Sequence, residues 1–480
     1  MSSFGRLRST DGAMPPDVIG VVVRCQGCGI DCATANPWEI GEFTIERRHG
    51  LRPGPEDGCA AGYAELLTTA IQSWKVWADG GVDAEDAGGL RAEMKWMRVL
   101  PLWVAVLSAC TSAVGGGSGA SEPVAGLPAG PSALQDPFDP SFPEPVIDPD
   151  AIVRVLPADA IPAIDTPAFI SVDELDLPDT EPVIALEIDG DARAYPVGVL
   201  TFHEIVNDTV GGVPVSITYC PLCNSAVTYE RTVQGAETTF GVSGRLYNSA
   251  LVMYDRATQT MWTHFDGRAV VGALAGERLD PVSSPLLGWG DFKAAYPDGL
   301  VLDPARTGFP GRERSYFSNP YQGYDEEGTR TLFPTDGDDR LDAKERVVAL
   351  TVDDRAAAWQ LEALIGSGPT VTPAHVAGAD LVILWRPGQA SGLETSETGT
   401  GRDVGSVAVF SPIVDGRTLT LSPSGDGYMD AQTGSRWDIT GRAVSGELAG
   451  TQLERVPHLD TFWFAWSSYR PDSALETGTS

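Results

Sequence analysis

The chain has 480 residues, with 33 Lys+Arg against 66 Asp+Glu, five His and seven Cys. A formal net charge of −33 speaks against nonspecific binding to nucleic acid or to anionic headgroups. Hydrophobic residues make up 42%, enough to build cores, and the length leaves room for two or three domains. An apolar run of about 18 residues is absent, which excludes a multi-span membrane protein.

Residues 1–93 carry Cys25-x2-Cys28-x3-Cys32 and Cys59, a set able to form a four-thiolate metal site. The competing expectation is that this segment belongs to an overlong gene start, with translation beginning at Met94 or Met97. Residues 94–110 motivate it. Met94-Lys95-Trp96-Met97-Arg98 holds two positive charges and no acid, residues 99–107 are apolar, and the run ends in Leu107-Ser108-Ala109-Cys110. A charged start, a short apolar core and a small-residue exit are the anatomy of a secretory signal peptide, here residues 94–109. The ending resembles the lipobox of bacterial lipoproteins, in which the Cys is acylated and becomes the first mature residue. A short buried helix would share the apolar core but not these flanks. The expectation is lipidation at Cys110, a membrane partner reached through that anchor, and a location in the cell envelope facing the periplasm or the outside. Residues 110–150, rich in Gly, Ser and Pro, read as a flexible tether.

The body repeats itself. Residues 267–279 match residues 441–453 at nine of thirteen positions. Upstream, Asp255-x2-Thr258-x3-Trp262 matches Asp430-x2-Thr433-x3-Trp437, and downstream Trp289 matches Trp463. Earlier, Ala185, Leu186, Asp189, Tyr195 and Leu200 correspond to Ala349, Leu350, Asp353, Trp359 and Leu364. Short Val-, Ile-, Thr- and Tyr-rich runs, such as 183–188, 213–219, 226–232 and 407–410, alternate with Gly, Asp, Asn and Pro. Helical periodicity is confined to residues 356–365 and 291–296. The fold class expected is mainly β (α+β), as two tandem copies of a β-rich unit. Copy one spans 151–303, an inter-copy segment 304–344, and a degenerate copy two 345–475.

Cys220-Pro221-Leu222-Cys223 lies between the strand-like runs 213–219 and 226–232. Its counterpart in copy two is Arg386-Pro387-Gly388-Gln389, so the turn-forming Pro survives and both thiols are gone. His203 and His264 also belong to copy one alone. Thiols needed to build the unit would be needed twice, so the asymmetry points to a single site. Pro at the second place of a four-residue turn brings the two thiols side by side, facing outward from a hairpin end. Such a pair can cycle with a disulfide, with Cys220 as nucleophile. It can give two soft ligands to copper or zinc, with His203 as a third and His264 as a weaker candidate. It can also be a static bridge. His203 beside Glu204 has a structural reading too, as a hydrogen-bonded core residue. The cluster from Tyr316 to Tyr324 reads as a packed linker, although such residues also line ligand clefts. No hydrolase, kinase or dinucleotide fingerprint is present, so no nucleotide cofactor is expected.

Phe202-His203-Glu204-Ile205-Val206-Asn207-Asp208, Thr218-Tyr219-Cys220-Pro221-Leu222-Cys223-Asn224-Ser225-Ala226 and Ser249-Ala250-Leu251-Val252-Met253-Tyr254-Asp255-Arg256 together resemble the bacterial and archaeal family called domain of unknown function 3179. So does Asn319-Pro320-Tyr321-x2-Tyr324 with Arg340, Leu341 and Lys344. The resemblance covers roughly 150–475 and implies an exported or lipid-anchored protein, with no activity attached. The leading expectation is therefore one thiolate site built from Cys220, Cys223 and His203, binding copper or another soft metal in a binding or electron-handling role. The alternatives are a thiol-disulfide oxidoreductase and a binding module with a static disulfide.

Overall fold

The computed structural model describes residues 126–128, 130–326, 328–329, 331 and 338–477. Cys25, Cys28, Cys32, Cys59, the signal segment 94–109 and the lipidation site Cys110 lie outside the described residues. Within them the chain is mainly β. No described helix is long and apolar enough to cross a membrane.

The first half opens with a hairpin, Pro182–Ile188 against Asp191–Pro196, turned by Asp189 and Gly190 at positive φ. A short helix, Val197–Leu200, leads into an antiparallel meander of Ile205–Val210, Val213–Cys220 and Ser225–Glu230. A second meander comes next: Phe240–Tyr247, Ala250–Asp255, Met261–Thr263 and Ala269–Val271. Leu286–Gly288 then returns antiparallel to Pro182–Ile188, and helix Trp289–Ala295 carries the chain to Leu300–Leu302, parallel to Asp191–Pro196.

The same order recurs in the second half. Arg346–Val352 pairs with Arg355–Gln360, with Asp353 and Asp354 at positive φ in the turn, and helix Leu361–Leu364 comes after it. Thr370–Val376, Ala379–Arg386 and Ser406–Phe410 form the first meander, and Leu421–Ser424, Gly427–Asp430, Arg436–Trp437 and Ala443–Ser445 the second. Leu459–Phe462 returns to Arg346–Val352, and helix Trp463–Tyr469 leads to Ala474–Glu476, parallel to Arg355–Gln360.

The correspondence extends to single hydrogen bonds. Asp255 accepts from the Thr258 and Thr260 N–H groups and from Trp262 Nε1, while Asp430 accepts from the Thr433 and Ser435 N–H groups and from Trp437 Nε1. Gly267 and Gly441 hold φ of 59° and 72°. A Cβ there would lie 2.6 Å from the Tyr229 ring and 2.5 Å from the Phe410 ring, so both positions need glycine for conformation and for space.

Residues 356–365, read as helical, are helical only over Leu361–Leu364; the first five belong to the strand Arg355–Gln360. Helix Trp463–Tyr469 has no counterpart among the expected elements, and it is nearly all buried. Of the segment read as a tether, residues 133–147 lie against the first half: Ala133 is fully buried, Leu134, Phe142, Val146 and Ile147 pack with it, and the Val146 N–H donates to the Val270 carbonyl.

The halves share their cores. Side chains alternate across a strand, so Val347 and Ala349 enter a cluster with Cys220, Cys223 and Trp262 of the first half. Val348 and Leu350 face the other way, onto Ile383 and Trp385. Reciprocally, Val183 and Ala185 pack with Leu384, Phe410 and Trp437 of the second half. Leu459–Phe462 runs beside Ser225–Glu230, and Leu286–Gly288 beside Ser406–Phe410. Each half therefore completes a sheet face of the other.

Glu181, 1% exposed, sits at one such junction. It accepts the Thr398 hydroxyl at 2.7 and 2.9 Å across the halves. Burial pushes its carboxyl up to about 7, against the Thr398 and Gly198 hydrogen bonds, and nearby Glu397 adds to the rise. A raised carboxyl pKa stabilises the fold below the unfolded value near 4.5, and that contribution is lost as pH rises through about 7. Wild-type stability should thus fall by about 3 kcal/mol between pH 5 and pH 9 from this group. Glu181→Gln should lack that decline in urea unfolding compared at the two pH values; an unchanged pH profile would assign the decline elsewhere.

Candidate functional site

The strand Val213–Cys220 ends at the paired residues Cys220 and Ser225, closing a tight turn through Pro221, Leu222, Cys223 and Asn224. Pro221 fixes φ at the second position, and Asn224 closes the turn in the left-handed region at φ 49°. What holds the turn comes largely from elsewhere in the chain. The Cys223 carbonyl accepts Thr461 Oγ1 at 2.7 Å and the Phe462 N–H at 3.0 Å, both from the second half. The Leu222 carbonyl accepts Tyr324 OH at 3.1 Å. Asn224 reaches Asp460 at 3.4 Å, and Asp460 is itself clamped by Arg346. The sequence placed the thiols facing outward from a hairpin end; clamped in this way they face inward, Cys220 at 2% and Cys223 at 0% exposure. Both are free thiols.

The two sulfurs are electrostatically unlike. Burial raises the pKa of Cys220, but the Cys223 thiol and the backbone N–H groups of Leu251, Cys223 and Leu222 are directed at its sulfur and outweigh burial, so the thiol titrates below its ordinary 9.0. At Cys223 burial and the neighbouring Cys220 sulfur act together and push it well above that value. Cys223 Sγ lies 3.0 Å from Ser225 Oγ, which lies 2.6 Å from His264 Nε2. Glu204, at φ 56°, is buried beside the pair; burial first and the Cys220 charge second raise its carboxyl well above the usual range. The Tyr321 phenol faces Glu204 and Cys220, and burial raises it. Lys344 donates to the Tyr324 carbonyl at 2.7 Å and stands over the Tyr324 ring, behind the turn.

His203 is not part of this group. Its Nδ1–H donates to the Pro162 carbonyl at 2.7 Å, and Nε2 accepts Tyr316 OH at 2.6 Å. Burial drives its pKa down to about 4 despite the Pro162 contact, and the Arg312 charge adds to the fall. Among the described residues, no three His, Cys, Asp or Glu side chains gather in a metal-holding arrangement. The ligand set of Cys220, Cys223 and His203 is therefore not brought together, and His264 reaches the cysteines only through Ser225. Sequence reasoning missed Ser225, Thr218, Glu204 and Leu251, although all four lie within the motifs quoted for the resemblance. It read the Tyr316–Tyr324 cluster as a linker; Tyr321 and Tyr324 instead close over the cysteine turn.

The family described as "Protein of unknown function (DUF3179)" matches residues 158–473, two thirds of the chain and both halves, and the chain belongs to it. No curated protein and no solved structure matches the chain significantly.

Proposed function

We propose that the chain is a thiol-disulfide oxidoreductase whose dithiol is Cys220 and Cys223, and that its halves are copies of one unit of which only the first keeps the reactive pair. The observation that carries this reading is a pair of adjacent free thiols held in one tight turn in unlike surroundings, with backbone N–H groups directed at Cys220 and the Ser225 hydroxyl 3.0 Å from Cys223. Exchange runs through the thiolate, and its rate follows the thiolate fraction at the attacking sulfur. Cys220 thiolate attacks one sulfur of a substrate disulfide, breaking its S–S bond and releasing one thiolate that takes up a proton. Cys223 then loses its proton and attacks the Cys220 sulfur, releasing the second thiol and leaving a Cys220–Cys223 disulfide. Two electrons pass from the dithiol to the substrate. Such chemistry suits an oxidising compartment, in keeping with the export signal and the lipid anchor proposed at Cys110.

The second reading is a soft-metal site. Two adjacent sulfurs suit two-coordinate Cu(I), and they are the donor set that remains once His203 is engaged elsewhere. One experiment separates the two. The reduced chain is incubated with oxidised glutathione and followed by intact mass spectrometry, with and without Cu(I). Cys220→Ser should abolish exchange, and Cys223→Ser should accumulate a mixed disulfide at Cys220. Exchange that persists at the wild-type rate in Cys220→Ser removes the oxidoreductase reading. One Cu(I) retained by the wild type and lost in both variants would favour the metal.

A further inference from the structure

Thr218, Ser225 and His264 are all buried, at 0 to 1% exposure, and their hydrogen bonds have a readable direction. Thr218 Oγ1 gives its one proton to the Val227 carbonyl at 2.7 Å. Toward His264 Nδ1, at 3.3 Å, it has only lone pairs to offer, so Nδ1 carries the ring hydrogen. The ring is neutral, because burial drives its pKa down to about 3 against the opposing Ser225 backbone. Nε2 is then a bare acceptor, and the hydroxyl facing it at 2.6 Å is Ser225. With its proton committed to His264, Ser225 Oγ presents lone pairs to Cys223 Sγ at 3.0 Å. A thiolate there would meet only lone pairs, so the sulfur keeps its one proton, which is directed at Cys220.

We propose that Thr218, His264 and Ser225 are positioning residues, a directed hydrogen-bond chain that holds Cys223 as the protonated thiol and so makes Cys220 the sulfur that attacks first. Tyr229 OH fixes the ring's backbone by donating to the His264 carbonyl at 2.9 Å. The titratable groups facing Cys223 from the other elements are Cys220 and Glu204. Both, when charged, act in the same sense as the chain. In the second half Ser225 corresponds to Ser406, whose hydroxyl goes to Asp291 at 2.6 Å, and His264 has no His counterpart. The directed chain accordingly occurs with the thiols and not in the half without them.

The inference rests on the oxidoreductase reading for its meaning but is tested apart from it. Nitrogen-15 spectra of the reduced, His-labelled chain should show His264 as the Nδ1–H tautomer, whether or not the pair exchanges with any disulfide. Thr218→Val removes the acceptor of that hydrogen. The ring should change to the Nε2–H form, the Ser225 hydroxyl should turn toward Cys223, and Cys223 alkylation at pH 8 should rise about tenfold, one unit of pKa. Peptide mapping reads both thiols in the same chain, and Cys220 should keep its rate. Thr218→Ser should restore the wild-type pattern. An Nε2–H tautomer in the wild type, or an unchanged Cys223 rate in a folded Thr218→Val chain, overturns the inference. A slow Cys220 in the wild type would overturn the oxidoreductase reading instead, leaving the tautomer result intact.

Discussion

Replacing Arg346 with Met should lower the unfolding free energy by about 3–5 kcal/mol, the range for breaking a buried ion pair from one side. Arg346 and Asp460 are 5% and 7% exposed and meet in a two-pronged contact, Nε to Oδ1 at 2.9 Å and the second guanidinium nitrogen to Oδ2. Without the guanidinium, Asp460 keeps only the Asn224 amide at 3.4 Å, too little to offset a desolvated carboxylate. The double variant Arg346→Met with Asp460→Leu should recover most of the loss, because the cost lies in stranding a charge and not in lacking a pair. Urea unfolding of the three variants decides it. A single variant losing under about 1 kcal/mol would place this pair with solvent-exposed bridges. The same contact reaches the cysteine turn, since Asn224 touches both Asp460 and Tyr219 OH. Arg346→Met should therefore also slow exchange at temperatures where it remains folded.

That dependence of the turn on the second half explains what was legible in the sequence and what was not. Strand positions follow from alternation and turn residues, which are local, and 183–188, 213–219 and 407–410 fall on observed strands. The repeated Asp-x2-Thr-x3-Trp spacing was visible because one Asp serves donors three, five and seven residues later, all within one short segment. The contacts that bury Cys223 come from Thr461 and Phe462, more than 230 residues away, and no spacing reports them. The Ala356–Ala358 run failed for a related reason. Its alanines favour a helix locally, yet the strand lies between two cores, with Ala357 packing in one and Ala356 and Ala358 in the other. The absence of cysteines at the corresponding positions of the second half also reads differently in space. Arg386, where Cys220 would be, pairs at 2.9 Å with Asp291 of the first half, and Ser406 bonds the same carboxylate. The helix position equivalent to Asp291 is Ala465, in the core with the two cysteines. An ion pair across the halves occupies one end where thiols and an alanine occupy the other. Where the first half has a four-residue turn, the second has the long connection from Arg386 to Ser406, so Gln389 stands in a loop that matches no part of the cysteine turn.

The repeated Asp allows the fold and the site to be separated by paired substitutions. Asp255→Ala and Asp430→Ala each remove a fully buried carboxyl and strand two backbone N–H groups and an indole N–H, of which only the one at half-buried Thr433 lies near solvent. At roughly 1–3 kcal/mol for each buried donor, with neighbours not fully additive, each should lose about 3–6 kcal/mol. The two carboxyls differ in titration. Burial opposes ionisation at both, but the donors prevail at Asp430, whose pKa is lowered, and not at Asp255, whose pKa is raised. Asp430 should therefore contribute stability above the unfolded value near 3.8 that fades as pH falls through its lowered pKa. The contribution of Asp255 should be greatest below that value and decline as pH rises through its raised one. Only one of the two ends a strand that reaches the cysteine turn. Asp255 ends the strand Ala250–Asp255, and that strand supplies the Leu251 N–H to Cys220. Asp430 ends the equivalent strand over a core without cysteines. At a temperature where both variants are folded, Cys220 should require higher pH for alkylation in Asp255→Ala and should be unchanged in Asp430→Ala. Equal behaviour in the two would mean that the Leu251 N–H does not hold the thiolate, and that the turn's own N–H groups and the Cys223 thiol are sufficient.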